Sequence, residues 1–97
     1  MKYTVVFGPA ASRELGLAFD WYESQRTGLG AEFLRAVAVA RDLLARDPLR
    51  FAITRMAFRW IKLRRFPYAL HYEIEGELVR VLSCLHFHQS PDRWPGA

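Results

Sequence analysis

The stretch TGLG, residues 27–30, separates two segments of helical periodicity and constrains the fold more than any other feature. Before it, apolar residues recur at helical spacing from Ala11 to Tyr22, so a first helix is expected to end near Gln25. After it, the same spacing predicts a second helix from about Ala31 to Arg46. Because glycines permit a tight turn and the link is so short, the two helices are predicted to form an antiparallel hairpin.

Strand patterns surround this hairpin. The predicted strands cover residues 2–7, 58–65, 68–74 and 77–87. Pro67 marks a corner, and Glu75 with Gly76 is expected to form a two-residue turn. The last strand is the longest, and its apolar run predicts a central position in the sheet. The order β-α-α-β-β-β therefore predicts an α+β fold in which the helical hairpin packs on a small, twisted, mainly antiparallel sheet.

The size of the chain favours one core. A length of 97 residues is expected to form a single domain spanning residues 1–97. The one cysteine, Cys84, cannot form an internal disulfide, and the N-terminal residues resemble neither a signal peptide nor a membrane span. A cytoplasmic protein without membrane contact is therefore expected. Glycine-rich phosphate loops, nucleophile elbows and CxxC pairs are missing from the sequence, and no cofactor is expected.

Positive charge is concentrated in the middle of the chain. The net charge is +4, but residues 41–65 alone carry eight bases and two acids, and arginine supplies seven of those bases. Such a local field favours an acidic partner, either a nucleic acid or an acidic polypeptide. The planar guanidinium group also suits phosphate or carboxylate better than a lysine does. The alternative interpretation is a solvated arginine-rich face.

Three histidines raise the question of a metal site. His86 and His88 lie two apart on the last strand, and His71 lies on the strand before it. With the turn at Glu75 and Gly76, His71 is predicted to be six residues out of step with His86, about 20 Å along the strand. A shared metal ion is therefore not expected, and His71 is interpreted as a histidine of the sheet.

The same register suggests a second possibility, RNA cleavage. It places Arg65 opposite His86, so His86 or His88 could act as general acid or base beside cations that hold phosphate. The candidate phosphate-binding residues are Arg59, Lys62, Arg64 and Arg65. The competing interpretation is structural: His86 hydrogen-bonds a backbone group at the strand end, and Trp94 folds back over the core.

A further candidate surface lies on the first helix. Leu17 and Trp21 form an apolar stripe away from the face of Leu15 and Tyr22. An exposed apolar stripe of this kind commonly marks a protein contact. The alternative is that Trp21 packs against the second helix.

Three stretches of the chain resemble the RelE/ParE superfamily of bacterial type II toxins, and in particular its ParE-like branch. They are WYESQRTGLGAEFL (21–34), RRFPYALHYEIEGELVRVLSCLH (64–86) and PDRW (91–94). The resemblance covers nearly the whole chain. It implies a small cytoplasmic toxin that is neutralised by a protein antitoxin encoded beside it, in a complex of the two chains. It also implies that the antitoxin arm wraps the toxin, and an acidic arm would suit the charge of residues 41–65.

The branch of the superfamily decides the expected target. RelE-like toxins cut messenger RNA in the ribosome, whereas ParE-like toxins block DNA gyrase without being nucleases. Where the nuclease branch carries a phosphate-contacting arginine, this chain has Gln89, which lowers the expectation of ribonuclease activity. His86, Pro91 and Trp94 are then interpreted as the end of the last strand, with Arg59, Arg64 and Arg65 at the matching basic positions.

Three hypotheses follow. The leading one is a ParE-like toxin that inhibits growth by binding a protein target, with DNA gyrase as the candidate, through its basic face and tail, and that is silenced by an antitoxin. Leu17, Trp21 and Trp94 are its candidate partner-binding residues. The alternative is a RelE-like, ribosome-dependent endoribonuclease. A third is a toxin-like fold that has lost toxicity and persists as a binding module.

Overall fold

The predicted order of elements is confirmed in a computed structural model, which describes residues 2–54 and 58–87. The elements are β1 (Thr4–Phe7), α1 (Pro9–Gln25), α2 (Leu29–Arg46), a short 3-10 helix (Pro48–Arg50), β2 (Arg59–Lys62), β3 (Tyr68–Glu75) and β4 (Leu78–His86). The first helix ends at the predicted residue, and the second begins two residues earlier than predicted. The predicted strand over residues 58–65 is shorter, because the chain bends from residue 64 onward.

The sheet has four strands in the order β1-β4-β3-β2. β4 pairs with β1 in parallel and with β3 in antiparallel orientation, and β2 pairs with β3 in antiparallel orientation. The longest strand is therefore central, as its apolar run predicts. The chain from β1 to β4 passes through both helices, β2 and β3, so it is long enough for the crossover that parallel neighbours need.

The register between β3 and β4 differs from the predicted one. Glu75 pairs with Leu78, so Gly76, with φ of 61°, and Glu77 form the turn one residue later than expected. A β-bulge then adds a second shift, because His71 pairs with Ser83 while the next residue pairs with Val81. A bulge places one extra residue on one strand and displaces every later pair. The register predicted from the turn alone is therefore wrong.

The hairpin is closed by backbone groups at the link. Gly28 has φ of 91°, a left-handed conformation that favours glycine, and α2 begins directly after it. The carboxylate of Glu23 accepts hydrogen bonds from the N–H groups of Gly28 and Gly30. These N–H groups lie at the start of α2, where the helix itself offers them no acceptor.

The core lies between the helices and one face of the sheet. An aromatic cluster of Tyr22, Phe33, Phe66 and Tyr68 fills one end of it, with ring centroids 4.9–6.1 Å apart. Leucine, valine and alanine side chains continue the core toward β1. Of the described part of the chain, neither helix is long and apolar enough to cross a membrane.

Candidate functional site

The predicted apolar stripe on α1 is exposed. The side chain of Leu17 is 64% exposed and that of Trp21 is 57% exposed, one helical turn apart on the same face. The Trp21 ring meets the ring of its neighbour Tyr22 edge-on, with centroids 5.1 Å apart. Large apolar side chains this open on one helix face are the kind that anchor protein interfaces.

This stripe forms one wall of a groove, here called the α1 groove, and the ends of β3 and β4 form the other. Two adjoining cavities of about 330 and 370 Å³ make up the groove. Trp21, Tyr68 and His86 line both cavities, and Leu17 and Cys84 line the first. The groove is therefore lined mainly by apolar and aromatic side chains.

The Cys84 thiol and the Tyr68 hydroxyl in the α1 groove are poorly suited to act as nucleophiles. Glu14 accepts a hydrogen bond from the backbone N–H of Cys84 at 3.0 Å. Burial, with a smaller contribution from Glu14, raises the pKa of the Cys84 thiol to about 12, so this sulfur stays protonated. Burial likewise raises the pKa of the Tyr68 hydroxyl.

His86, a candidate catalytic residue, lies at the end of β4 in this groove. It pairs with Tyr68 across the sheet, and the two rings meet edge-on with centroids 5.1 Å apart. The predicted pairing of Arg65 with His86 is wrong, because the later turn and the bulge move His86 three residues along β3. The second candidate, His88, lies outside the described residues, as does Trp94.

His71 lies on the other face of the sheet. Leu70 and Tyr72 belong to the core, so His71 between them points away from the helices. It is fully buried, and burial lowers the pKa of its imidazole to about 4. It pairs with Ser83, three residues from His86 rather than the predicted six, yet the two imidazoles occupy opposite faces and cannot share one ion.

Arg59, a predicted phosphate ligand, is bonded to the protein's own backbone. Its Nη1 donates hydrogen bonds to the carbonyl oxygens of Leu49 and Phe51, at 3.0 and 2.8 Å. Beside it, the hydroxyl of Tyr72 donates to the carbonyl of Pro48 at 2.6 Å. The Arg59 guanidinium therefore holds the segment that follows α2 against the sheet.

The other three predicted cations lie together at the opposite end of β2. Lys62 Nζ lies 5.8 Å from the centroid of the Phe87 ring and donates to the carbonyl of Leu63. Arg64 is exposed and forms no ion pair within the described ranges. Arg65, with φ of 67°, pairs with Glu32 at 2.9 Å.

These cations line a second groove, between α2 and the β2–β3 connection, called the α2–β2 groove. Its main cavity measures about 220 Å³ and is bordered by Glu32, Arg35, Val39, Arg64 and Arg65. The α1 groove and the α2–β2 groove have no lining residue in common. The structure therefore separates His86 from the arginines that the sequence placed beside it.

Sequence reasoning did not single out Arg35 and Val39, which line this groove. The helical repeat of α2 does indicate that Val39 is exposed, because Val39 is offset from the buried stripe of Phe33, Val37 and Ala40. An apolar residue outside the core stripe faces solvent unless a partner covers it. Its position beside Arg64 depends on the tertiary fold, so the pattern alone could not place it.

The chain has a ParE-like fold, in which a helical hairpin packs on one face of a four-stranded, mostly antiparallel sheet. A solved structure titled "Chromosomal ParDE TA system from P. aeruginosa" superposes on it with a TM-score of 0.73. The match covers 88% of this chain and 96% of the other, at 13% sequence identity. No protein-family model and no curated protein matches the sequence.

Proposed function

We propose that this protein is the toxin of a type II toxin–antitoxin system and that a cognate antitoxin binds it in the cytoplasm. The ParE-like fold supports this proposal. The observation that carries it is the exposed Leu17 and Trp21 pair, because open anchors beside an apolar groove suit a helix or arm of a partner. In this assignment the antitoxin covers the α1 groove.

We further propose that toxicity comes from binding a protein target, with DNA gyrase as the first candidate, rather than from cutting RNA. Phosphoryl chemistry needs an acid or base next to cations that stabilise the charged transition state. In the described residues His86 lies in the α1 groove, whereas Arg64 and Arg65 line the α2–β2 groove. The Arg59 guanidinium already donates hydrogen bonds to two backbone carbonyl groups. This separation favours a binding mechanism.

The antitoxin assignment is tested by co-expression of the chain with the reading frame next to its gene. We expect the two products to co-purify and growth to be restored. The variant Leu17→Arg should abolish the complex, because it places a charge on an apolar anchor site. Leu49→Arg is the matched control, since Leu49 is similarly exposed but lies on the 3-10 helix. Equal effects of the two variants would refute the α1 groove as the docking site.

The target is tested with two assays on the purified chain. Supercoiling of relaxed plasmid by gyrase should be inhibited, and messenger RNA should stay intact in a translating extract. Cleavage of the message within ribosomes would support the ribonuclease alternative instead. If neither assay responds and expression does not slow growth, the chain is a binding module that keeps the fold without toxicity.

A further inference from the structure

The two edges of the sheet are protected to different degrees. At one edge, β2 carries Arg59 and Lys62, and the segment before it pairs with it, because the N–H of Trp60 donates to the carbonyl of Ala52 at 3.0 Å. At the other edge, β1 has the sequence TVVF, with neither a charge nor a proline, and among the described strands it pairs with β4 alone. Proteins commonly protect an exposed edge with charged residues, proline or a covering segment. The edge of β1 is therefore open to a further strand.

The open side of β1 presents the backbone groups of Val5 and Phe7. The N–H groups of Thr4 and Gly8 donate to carbonyl oxygens on the β4 side, at 2.9 Å each. Since alternate residues of a strand direct their N–H and C=O groups to opposite edges, those of Val5 and Phe7 point away from β4. At the start of this edge α2 is close by, and one of its carbonyl groups accepts a hydrogen bond from the N–H of Tyr3 at 3.0 Å. Within the described ranges, no strand or loop pairs with the outward groups of Val5 and Phe7.

Apolar surface adjoins this edge on both faces of the sheet. Val6 is 40% exposed on the face away from the helices, because its neighbours Val5 and Phe7 pack against the core on the other face. On the helix side, Phe7 borders a cavity of about 240 Å³ together with Leu15 and Leu34, and Leu34 is 40% exposed. A partner at this edge would therefore remove apolar surface from water in addition to forming backbone hydrogen bonds.

The charges beside β1 do not oppose the approach of a second copy. The excess of positive charge in the sequence lies in residues 41–65, whereas β1 itself carries no charge. The cation next to β1 in the sheet is Arg80, which lies beside Val6 on β4, and its guanidinium pairs with Glu73 at 3.0 Å. Two β1 strands can therefore meet without an unpaired like charge between them.

We propose that the free edge of β1 is a dimerisation site, at which a second copy of this chain adds its own β1 in antiparallel orientation. An open edge gains backbone hydrogen bonds from an added strand. A second copy fits because a two-fold contact needs the same patch on both sides, and an antiparallel strand edge is complementary to itself. The sheet then continues through both copies, with the two helical hairpins on the same face.

The free backbone groups select the register in which Val6 lies on the two-fold axis. Val5 of one copy then lies opposite Phe7 of the other, and each such pair exchanges both of its N–H···O hydrogen bonds. The two Val6 residues form a non-hydrogen-bonded pair with Cα atoms about 4.5 Å apart, so their exposed side chains cover each other. A register centred on Val5 would instead need the N–H of Tyr3, which α2 already engages.

Light scattering of the purified full chain over a range of concentrations tests the dimer. We expect the mass to rise from 11.3 kDa toward twice that value as the concentration increases. Val6→Glu should keep the chain monomeric, because two carboxylates would meet at the axis, while in the monomer the new carboxylate lies beside Arg80. Val39→Glu is the matched control: Val39 is 43% exposed on α2, and the change should alter the dimerisation constant by less than about twofold. Circular dichroism melts establish that both variants fold.

Cysteine cross-linking tests the register. Val6→Cys places two thiols at a Cα separation that a disulfide spans, so oxidation should link the two copies. Thr4→Cys is the matched control on the same face of β1. It should not form the link, because the two Thr4 positions lie roughly 13 Å apart along the paired strands. The native thiol of Cys84 is buried, so the unaltered chain should form no such link.

Three results would each overturn the proposal. The first is a mass of 11.3 kDa at every concentration up to about 1 mM. The second is a dimer that Val6→Glu and Val39→Glu weaken equally, and the third is equal cross-linking of Thr4→Cys and Val6→Cys.

Hydrogen exchange and one further variant separate this dimer from the antitoxin assignment. The amides of Val5 and Phe7 should become protected as the concentration of the chain alone increases. If they become protected only when the antitoxin is added, a strand of the antitoxin takes the edge and the dimer proposal fails. The inference does not rest on the toxin assignment, because no residue of β1 lines the α1 groove. Leu17→Arg should therefore remove the antitoxin complex and leave the dimer unchanged.

Discussion

The carboxylate of Glu23 accepts a hydrogen bond from the backbone N–H of Gly30 at 3.0 Å, and a second from Gly28 at the same distance. One side chain near the end of α1 thus holds the first turn of α2. The contact explains why the two helices keep a fixed geometry across a link of three residues, Arg26–Gly28. An acceptor at this position satisfies donors that a helix start otherwise leaves open.

Loss of the Glu23 carboxylate should therefore destabilise the fold. We expect Glu23→Ala to lower the free energy of unfolding by about 1.5–3 kcal/mol, the range for hydrogen bonds that involve a charged group. Urea denaturation measures this quantity. Asp20→Ala removes an exposed carboxylate from the same helix and should change stability by less than about 0.5 kcal/mol. Equal losses in the two variants would contradict the contact.

Gly30 should tolerate no side chain, whereas Gly16 should. A Cβ at Gly30 would lie 2.7 Å from Phe19 Cε2 and 2.9 Å from Glu23 Oε1. We expect Gly30→Ala to cost about 1–3 kcal/mol, because the crowded side chains must move. A Cβ at Gly16 meets nothing within 4 Å, so Gly16→Ala should stabilise α1 by about 0.5–1 kcal/mol. Thermal unfolding of the two variants should shift in opposite directions.

Two adjacent aromatic residues should have opposite roles. Tyr22 is 9% exposed within the cluster of Phe33, Phe66 and Tyr68, so Tyr22→Ala should cost about 3–5 kcal/mol of stability. Trp21→Ala removes a ring that is 57% exposed and should cost less than about 1 kcal/mol while it weakens the antitoxin complex. Denaturation curves and co-purification measure the two effects, and a large stability loss in Trp21→Ala would argue for a structural role.

Arg59 should contribute to the stability of the fold, whereas Arg64 should not. Arg59→Ala removes hydrogen bonds to the carbonyls of Leu49 and Phe51, and we expect it to lower the free energy of unfolding by about 1–3 kcal/mol. Arg64→Ala removes the same charge from an exposed side chain and should be neutral within about 0.5 kcal/mol. Chemical denaturation of both variants tests this assignment. It fails if Arg59→Ala leaves stability unchanged.

His71 should make stability depend on pH in mildly acidic solution. Its pKa falls from the ordinary 6.5 to about 4 on folding, so the unfolded chain takes up the proton first as the pH decreases. Its contribution is complete above pH 6.5 and is lost as the pH falls from 6.5 toward 4, by at most about 1.4 kcal/mol per pH unit. Denaturation at several pH values should show a shallower slope for His71→Gln than for the unaltered chain. Identical slopes would contradict the prediction.

The pattern of neighbouring residues was enough to place the helices and the order of the strands. Pro9 and the TGLG link end or begin helices through backbone preferences that act within a few residues. The repeats of α1 and α2 also separate the buried stripe from Leu17 and Trp21. These features depend on local sequence, so they could be predicted without coordinates.

The position of His86 and the makeup of the α2–β2 groove could not be predicted in this way. The predicted partner of His86 across the sheet is Arg65, and the observed partner is Tyr68. The difference comes from a turn one residue later than expected and from one bulge, because each local shift displaces every later pair of a strand. Val39 and Arg64 lie 25 residues apart and meet only when α2 packs beside β2. The sequence by itself therefore determined which elements form, since local backbone and hydrophobic preferences decide that. Only the tertiary structure decided which side chains share a groove, since register and packing depend on contacts between distant residues.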